Sequence, residues 1–467
     1  MSQPRKVCYY TDAMSEPLTI AAAAPLVRSG ELTPSELLEQ CLRRIDIYEP
    51  AVQAWVYLDR ERARRDAQKL TDEAKAGRVR GPLHGVPVGV KDIIDVFDMP
   101  TGCGSKLWAN SYARRDATVV ERLRQAGAII LGKTVTTPYA YLDPPVTRNP
   151  WDLTRTPGGS SSGSAAAVAC GMCLAALGTQ TGGSLTRPAS YCGVYSLKPT
   201  YGRLSVDGVL PLAPSLDHVG ILANCARDLT VVYEVVAGAD PAVRGGAYRP
   251  VGSALRDVDR AIADRHPFSA LLPRDFYAGK LSPEVALMMS RLETDIQNAS
   301  DGAGTLGVVL PVGFDEVHRH HRLMMATGAA TTHAERLVRR PDDYPPRIAE
   351  LVRDGQAATA AELIAATDLR DRLLDQFDDT FWMPSLLIPA TQDAAPADGT
   401  TGSPWCNSPW SFLGVPVVSV PVARTADGLP MAVQLINGYF HETSVLTEAA
   451  RLERLADFNH RLPPVPA

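Results

Sequence analysis

Two serine sites set in glycine constrain this chain more than anything else in it. They are Gly158-Gly159-Ser160-Ser161-Ser162-Gly163-Ser164 and Thr181-Gly182-Gly183-Ser184. Glycine allows positive φ and close approach of backbone to a ligand. Successive N–H groups in such a turn can converge on one oxygen, which is the requirement of an oxyanion hole. A serine at that turn is a candidate nucleophile, but it needs a base. The run between the two sites is Ala-rich and contains no histidine. Upstream, Lys91 ends the apolar approach Gly85-Val86-Pro87-Val88-Gly89-Val90. Burial of that strand would favour the neutral amine, a usable base. Asp92, next in the strand, is expected on the opposite face.

Plainer readings exist for these segments. A Gly/Ser-rich stretch is most often a turn. It is not a phosphate loop, because no Lys-Ser/Thr follows at the required position. Ser161 fits the G-x-S-x-G pattern of a nucleophile elbow, which needs a strand directly before it. The preceding residues, Asp152 to Pro157, are a poor strand, and no downstream acid–histidine pair stands out.

The order and spacing of these segments resemble the amidase signature family of serine hydrolases. The likeness rests on GVPVGVKDIIDV, on GAIILGKT at Gly127–Thr134, on Asn149–Asp152 and on the stretch from Pro157 to Arg203. It continues in Ser408–Val422 and Gly428–Ile436. The resemblance implies a Ser–Ser–Lys triad. Ser184 would be the nucleophile, Ser160, held after a cis peptide, the bridging serine, and Lys91 the base. It implies oxyanion donors at the backbone of Thr181, Gly182, Gly183 and Ser184, and substrate contacts at Arg187, Tyr139 and Gly159. No metal or organic cofactor is implied.

The implied reaction is hydrolysis of a C–N bond in a small amide. A carbamate or ester substrate, and service as the amidase subunit of a tRNA-dependent amidotransferase, are the alternatives. Two departures from the family pattern stand out: Gln180 replaces an Asp, and Thr186 replaces an Arg, with Arg187 following. That arrangement resembles a branch acting on small amides that bear a carboxylate. Arg187 is then either a carboxylate clamp or the partner of a core carboxylate. Pro188 biases Arg187 toward an extended backbone. The segment Thr134–Thr147 is shorter and richer in proline than its counterpart, so the substrate stays open.

The family implies an α/β fold, a large mixed sheet covered by helices on both faces. Residues 1–467 are read as one domain without a linker. A helical cover spans 17–78, a signature core 80–240 and a helical insertion 253–380. Strands over 384–467 close the sheet. The capping box Thr33-Pro34-Ser35-Glu36 opens a helix, a strand is expected at 84–96, a helix at Asp116–Ala126 and a short strand at Ile129–Leu131. A buried helix is expected over Ser164–Ala176 and a strand at Leu306–Leu310.

A net charge of −5 gives no electrostatic footprint for nucleic acid or an anionic membrane. No apolar run is long enough to span a bilayer, and the N-terminal stretch lacks the apolar core of a signal peptide. Eight cysteines in 467 residues are too few for a disulfide scaffold. A cytoplasmic setting and a small-molecule partner follow, with a homodimer left open. Cys170-x-x-Cys173 reads as apolar packing. His318, His320 and His321 read as a solvated helix face rather than a metal site. Trp405, Trp410 and Phe412 read either as core or as pocket wall.

Overall fold

Short runs of β-branched and apolar residues in this chain pair into one sheet of eleven strands. They are β1 Trp55–Leu58, β2 Pro87–Lys91, β3 Ile129–Thr134, β4 Ala175–Gln180, β5 Tyr195–Lys198 and β6 His218–Ala223. Then follow β7 Ala270–Leu272, β8 Thr305–Gly307, β9 Leu386–Pro389, β10 Val417–Arg424 and β11 Pro430–Ile436. This computed structural model describes residues 17–238, 251–264, 266–300, 302, 304–380, 384–456, 458 and 460–466. The N-terminal stretch read for a leader lies outside them up to residue 16, as does the boundary near residue 240.

The spatial order is β1-β3-β2-β4-β6-β5-β10-β11-β9-β7-β8. β2 runs parallel to both β3 and β4, and β7 parallel to β8 and β9. The other pairs are antiparallel, so the sheet is mixed. Every residue of β2, β3 and β4 is buried. That is the state of central parallel strands covered on both faces, and it explains their continuous apolar runs. Because β2 and β4 are parallel neighbours, their C-terminal ends, Lys91 and Gln180, reach the same edge of the sheet. Ligand sites in such sheets form outside the carboxyl ends of strands.

Local signals explain several helices. Thr33 Oγ1 accepts from Glu36 N at 3.1 Å and the Glu36 carboxylate accepts from Thr33 N at 2.8 Å, so the capping box opens Pro34–Val52. The helix Thr118–Gln125 falls inside its expected range.

Other expectations need correction. The 17–78 cover contains β1, which its aromatic and β-branched run Trp55-Val56-Tyr57-Leu58 suits. The Ala-rich helix ends at Ala169, not Ala176. Gly171 takes φ of +65° and turns the chain, so Ala175 and Ala176 enter β4, where both are buried. The strand expected at Leu306–Leu310 spans only Thr305–Gly307, and β7 accompanies it unannounced.

Candidate active site

Lys91 is the last residue of β2, and its side chain is fully buried. Its Nζ lies 2.7 Å from Ser160 Oγ and 2.7 Å from Thr179 Oγ1, the latter on β4. Burial pushes the Lys91 pKa well below its ordinary value, and the charge of Asp217 pulls weakly the other way. Asp92 points away from this group, as alternation requires. It meets Lys133 of β3 at 3.2 Å and lines a different cavity.

The two serine sites, distant in sequence, are stitched together by backbone. The Gly159–Ser160 peptide is cis. Ser161 N donates to Ser184 O at 3.1 Å, and Ser161 Oγ both donates to Thr179 O and accepts from Thr179 N. Ser161 is therefore a structural tie, whereas Ser160 presents its hydroxyl to Lys91. The helix Ser162–Ala169 starts directly after it, with all eight residues buried.

The turn Thr181–Ser184 follows β4, and its carbonyls are held one by one. The Gln180 carbonyl, at 3.2 Å, shares the His218 Nδ1 donor with Leu216 O at 2.6 Å, that of Thr181 accepts from His321 Nε2 at 2.9 Å and that of Gly182 from Ser411 Oγ at 2.8 Å. The Gly183 carbonyl accepts from Arg187 N at 3.1 Å. In a planar trans peptide the N–H points opposite to the carbonyl. Anchoring these four carbonyls thus fixes the directions of the N–H groups of Thr181, Gly182, Gly183 and Ser184. Among the described residues none of the four N–H groups has an acceptor. A side chain at Gly183 would put Cβ 2.8 Å from Asn407 Oδ1, so glycine is required there by space.

These groups line a cleft of about 260 Å³. Its floor is Thr181–Ser184 and Arg187, and its walls include Leu212, Met325, His321, His318 and Trp405. Trp405 stacks on the His318 ring at 5.3 Å and on Phe276 at 4.4 Å, while Trp410 and Phe412 are core. Of the expected wall residues, then, Trp405 alone faces the cleft.

Arg187 is completely buried in the helix Thr186–Cys192. The expected extended backbone does not occur, because Pro188 sits in the first helical turn, where its missing N–H costs nothing. Nη2 donates to Gly159 O at 2.6 Å and to Thr401 Oγ1 at 3.3 Å. Nε and Nη1 are buried without a hydrogen-bond partner, and no carboxylate among the described residues pairs with the guanidinium. Desolvation lowers its pKa to about 10. Gly159 thus serves through its carbonyl, and its Cβ position is closed by Thr401 at 2.8 Å. Tyr139 does not line the cleft. Its hydroxyl donates to Asp343 and its ring stacks on Tyr344 at 4.5 Å, while the following Ala140, Tyr141 and Leu142 form the wall.

The histidine cluster is not a solvated face. His320 and His321 are buried on the helix Val317–Arg339, and His321 turns into the cleft with its pKa lowered to about 4 by burial. The spacing Val317, His321, Met324, Met325 marks an inward face and was the available signal. Among the described residues no group of three or more His, Cys, Asp or Glu side chains could hold a metal ion. Cys170 and Cys173 are buried free thiols with raised pKa values. Thr179, Asp217 and Ser411, all tied into this site, carried no sequence signal. Asp217 accepts from Thr181 Oγ1 at 2.5 Å and from the backbone N–H groups of Leu212 and Ala213.

The profile of the Amidase family matches residues 36–446. A glutamyl-tRNA(Gln) amidotransferase subunit from Chloroflexus aggregans is 32% identical over 487 residues, covering 96% of this chain and 98% of that one. The structure of peptide amidase from Stenotrophomonas maltophilia superposes with a TM-score of 0.81 at 26% identity, over 98% of this chain and 100% of that one. That of 6-aminohexanoate cyclic dimer hydrolase does so with a TM-score of 0.83 at 26% identity, over 96% and 99%. Sequence and fold thus agree, and the chain belongs to the amidase signature family, hydrolases of carbon–nitrogen bonds.

Proposed function

We propose that this amidase works through Ser184 as nucleophile, Ser160 as proton bridge and Lys91 as base. The observation that carries the reading is the buried Lys91 amine 2.7 Å from Ser160 Oγ, in a segment whose next residue, Ser161, donates its N–H to the carbonyl of the cleft-lining Ser184 at 3.1 Å. Neutral Lys91 takes the Ser160 proton as Ser160 takes that of Ser184, and Ser184 Oγ attacks the amide carbon. The N–H groups of Thr181–Ser184 receive the developing oxyanion. The proton returns through Ser160 to the leaving nitrogen, the C–N bond breaks, and an ammonia or amine departs. Water, deprotonated by the same relay, then cleaves the acyl-enzyme and restores Ser184.

The substrate is an amide carrying a free carboxylate near the scissile bond. What supports this is Arg187, whose Nε and Nη1 are left without partners where it borders the cleft. A buried guanidinium lacking an anion is costly until one arrives. A carbamate or ester of the same shape fits the same chemistry. A second reading, service within an amidotransferase, is favoured by the similarity to the C. aggregans protein. A fluorophosphonate tests the assignment. It is expected to label Ser184, and Ser184→Ala to remain folded without hydrolysing any amide. A label on Ser160 or Ser161 overturns it.

A further inference from the structure

The carbonyl of Gly182 is held by a two-step contact that begins at Gln180. Gln180 ends β4 and is buried behind the Thr181–Ser184 turn. Its Oε1 accepts from Leu185 N at 2.9 Å, Thr186 N at 3.0 Å and Thr186 Oγ1 at 3.2 Å. Two backbone donors on one atom settle which end of the amide is oxygen. The other end, Nε2, therefore faces Ser411 Oγ at 3.0 Å, and Ser411 Oγ donates to Gly182 O at 2.8 Å. A serine hydroxyl has one proton. With that proton committed to Gly182, the oxygen needs a donor on its other side, and Gln180 supplies it.

We propose that Gln180 and Ser411 are positioning residues that orient the Gly183 N–H through one donor relay, and that the relay requires a neutral amide at position 180. The proposal rests on reading Thr181–Ser184 as the oxyanion hole. The Gly182 carbonyl and the Gly183 N–H share one peptide plane, so pinning the first aims the second. An ionised carboxylate at position 180 is acceptor-only. It would draw the Ser411 proton to itself in a charge-assisted bond, and Gly182 O would lose its partner. Protonation of that carboxyl restores a donor and with it the relay.

The test uses Gln180→Glu, Ser411→Ala and the double variant, assayed on one amide from neutral to acidic pH. Loss of a direct oxyanion donor costs about 10²–10³ in rate, so a misaimed one is expected to cost roughly 10- to 100-fold in kcat with KM nearly unchanged. The activity of Gln180→Glu relative to wild type is expected to recover as the pH falls. His218, His318, His321, Asp217, Lys91 and Arg187, the titratable and charged groups around this turn, are common to both proteins, so the ratio isolates position 180. The double variant is expected to be no slower than the slower single one. Additive losses, a pH-independent ratio, or an effect on KM alone would overturn the relay. Should Gln180→Glu fail to fold, Ser411→Thr against Ser411→Ala decides: the retained hydroxyl restores kcat, and equal rates overturn the proposal. Ser184→Ala run alongside separates the two levels. Activity surviving there sinks the site reading itself, whereas an inactive Ser184→Ala with additive losses sinks only the relay.

Discussion

Lys91 combines two demands that conflict in most lysines, burial and availability as a base. Its ordinary pKa of 10.5 is lowered by desolvation. Activity is therefore expected to fall as pH drops through that lowered value, when Lys91 takes a proton. Lys91→Met should lose about 10²–10⁴ in kcat/KM, and Lys91→Arg should not rescue, since arginine stays charged. Stability follows pH in the same sense, although burial of the amine itself costs stability. Between the lowered native pKa and 10.5 the unfolded chain binds the extra proton, so wild-type stability rises with pH across that window. Lys91→Met is thus expected to melt higher than wild type at neutral pH, with the gain shrinking toward pH 10.5. A lower melting temperature would mean that Lys91 contributes packing rather than strain. Arg187→Ala is expected to cost roughly 10- to 100-fold in kcat/KM for an amide with a neighbouring carboxylate, as for a lost hydrogen bond to a charged group, and little for a neutral one. An equal loss on both, with a lowered melting temperature, would make Arg187 structural.

At the scale of elements, the helix Ser162–Ala169 is the link between the two serine sites. It carries no polar face because all of it is buried, and its Ala and Gly residues allow close approach to the sheet. Gly163 shows how tight that approach is: a Cβ there would stand 2.2 Å from Ala54 O and 2.4 Å from Val135 N. Gly163→Ala must push away Ala54 and Val135, which flank β1 and β3, or shift Ser160, and overpacking of this kind costs about 1–3 kcal/mol. Both the melting temperature and the kcat should fall. An unchanged kcat in a destabilised protein would separate the helix from the placement of Ser160. The turn after β4 is governed in the same way, by atoms of His321, Ser411 and His218 that come from three other elements.

For the whole molecule, residues near the two ends of the described chain clamp the same body. Ile20 and Ala21 donate their N–H groups to Asp228, and Tyr48 donates to the carbonyl of Pro463. β10, late in the chain, pairs with β5 of the earlier core. The site is likewise built from both ends, with Lys91 and Ser160 from the first half and Trp405 and Ser411 from the last. The purified chain alone is therefore expected to hydrolyse simple amides, and hydrolysis seen only with added partner proteins would favour the amidotransferase reading. EDTA is expected to leave activity intact, and a loss reversed by a divalent metal would redirect attention to His318–His321. No helix among the described residues is long and apolar enough to cross a membrane.

What the sequence determined by itself was everything carried by contiguous residues. The glycine-set serines, the apolar strand ending in Lys91 and the capping box at Thr33 all rest on local backbone preference and short-range pattern, and the order of such segments carried the family resemblance that implied the α/β class. The same locality misplaced the end of the Ala-rich helix, since alanine is accepted in a buried strand as well as in a helix and only the turn at Gly171 separates the two. Tertiary structure alone decided which polar groups meet. Thr179 became a partner of Lys91 because β2 and β4 are parallel neighbours in one register. His321 turned inward because its helix packs over the cleft, and Arg187 was left without an anion because no carboxylate among the described residues was folded against it. Such pairings depend on strand order and side-chain direction, which link residues hundreds of positions apart and leave no mark on their immediate neighbours.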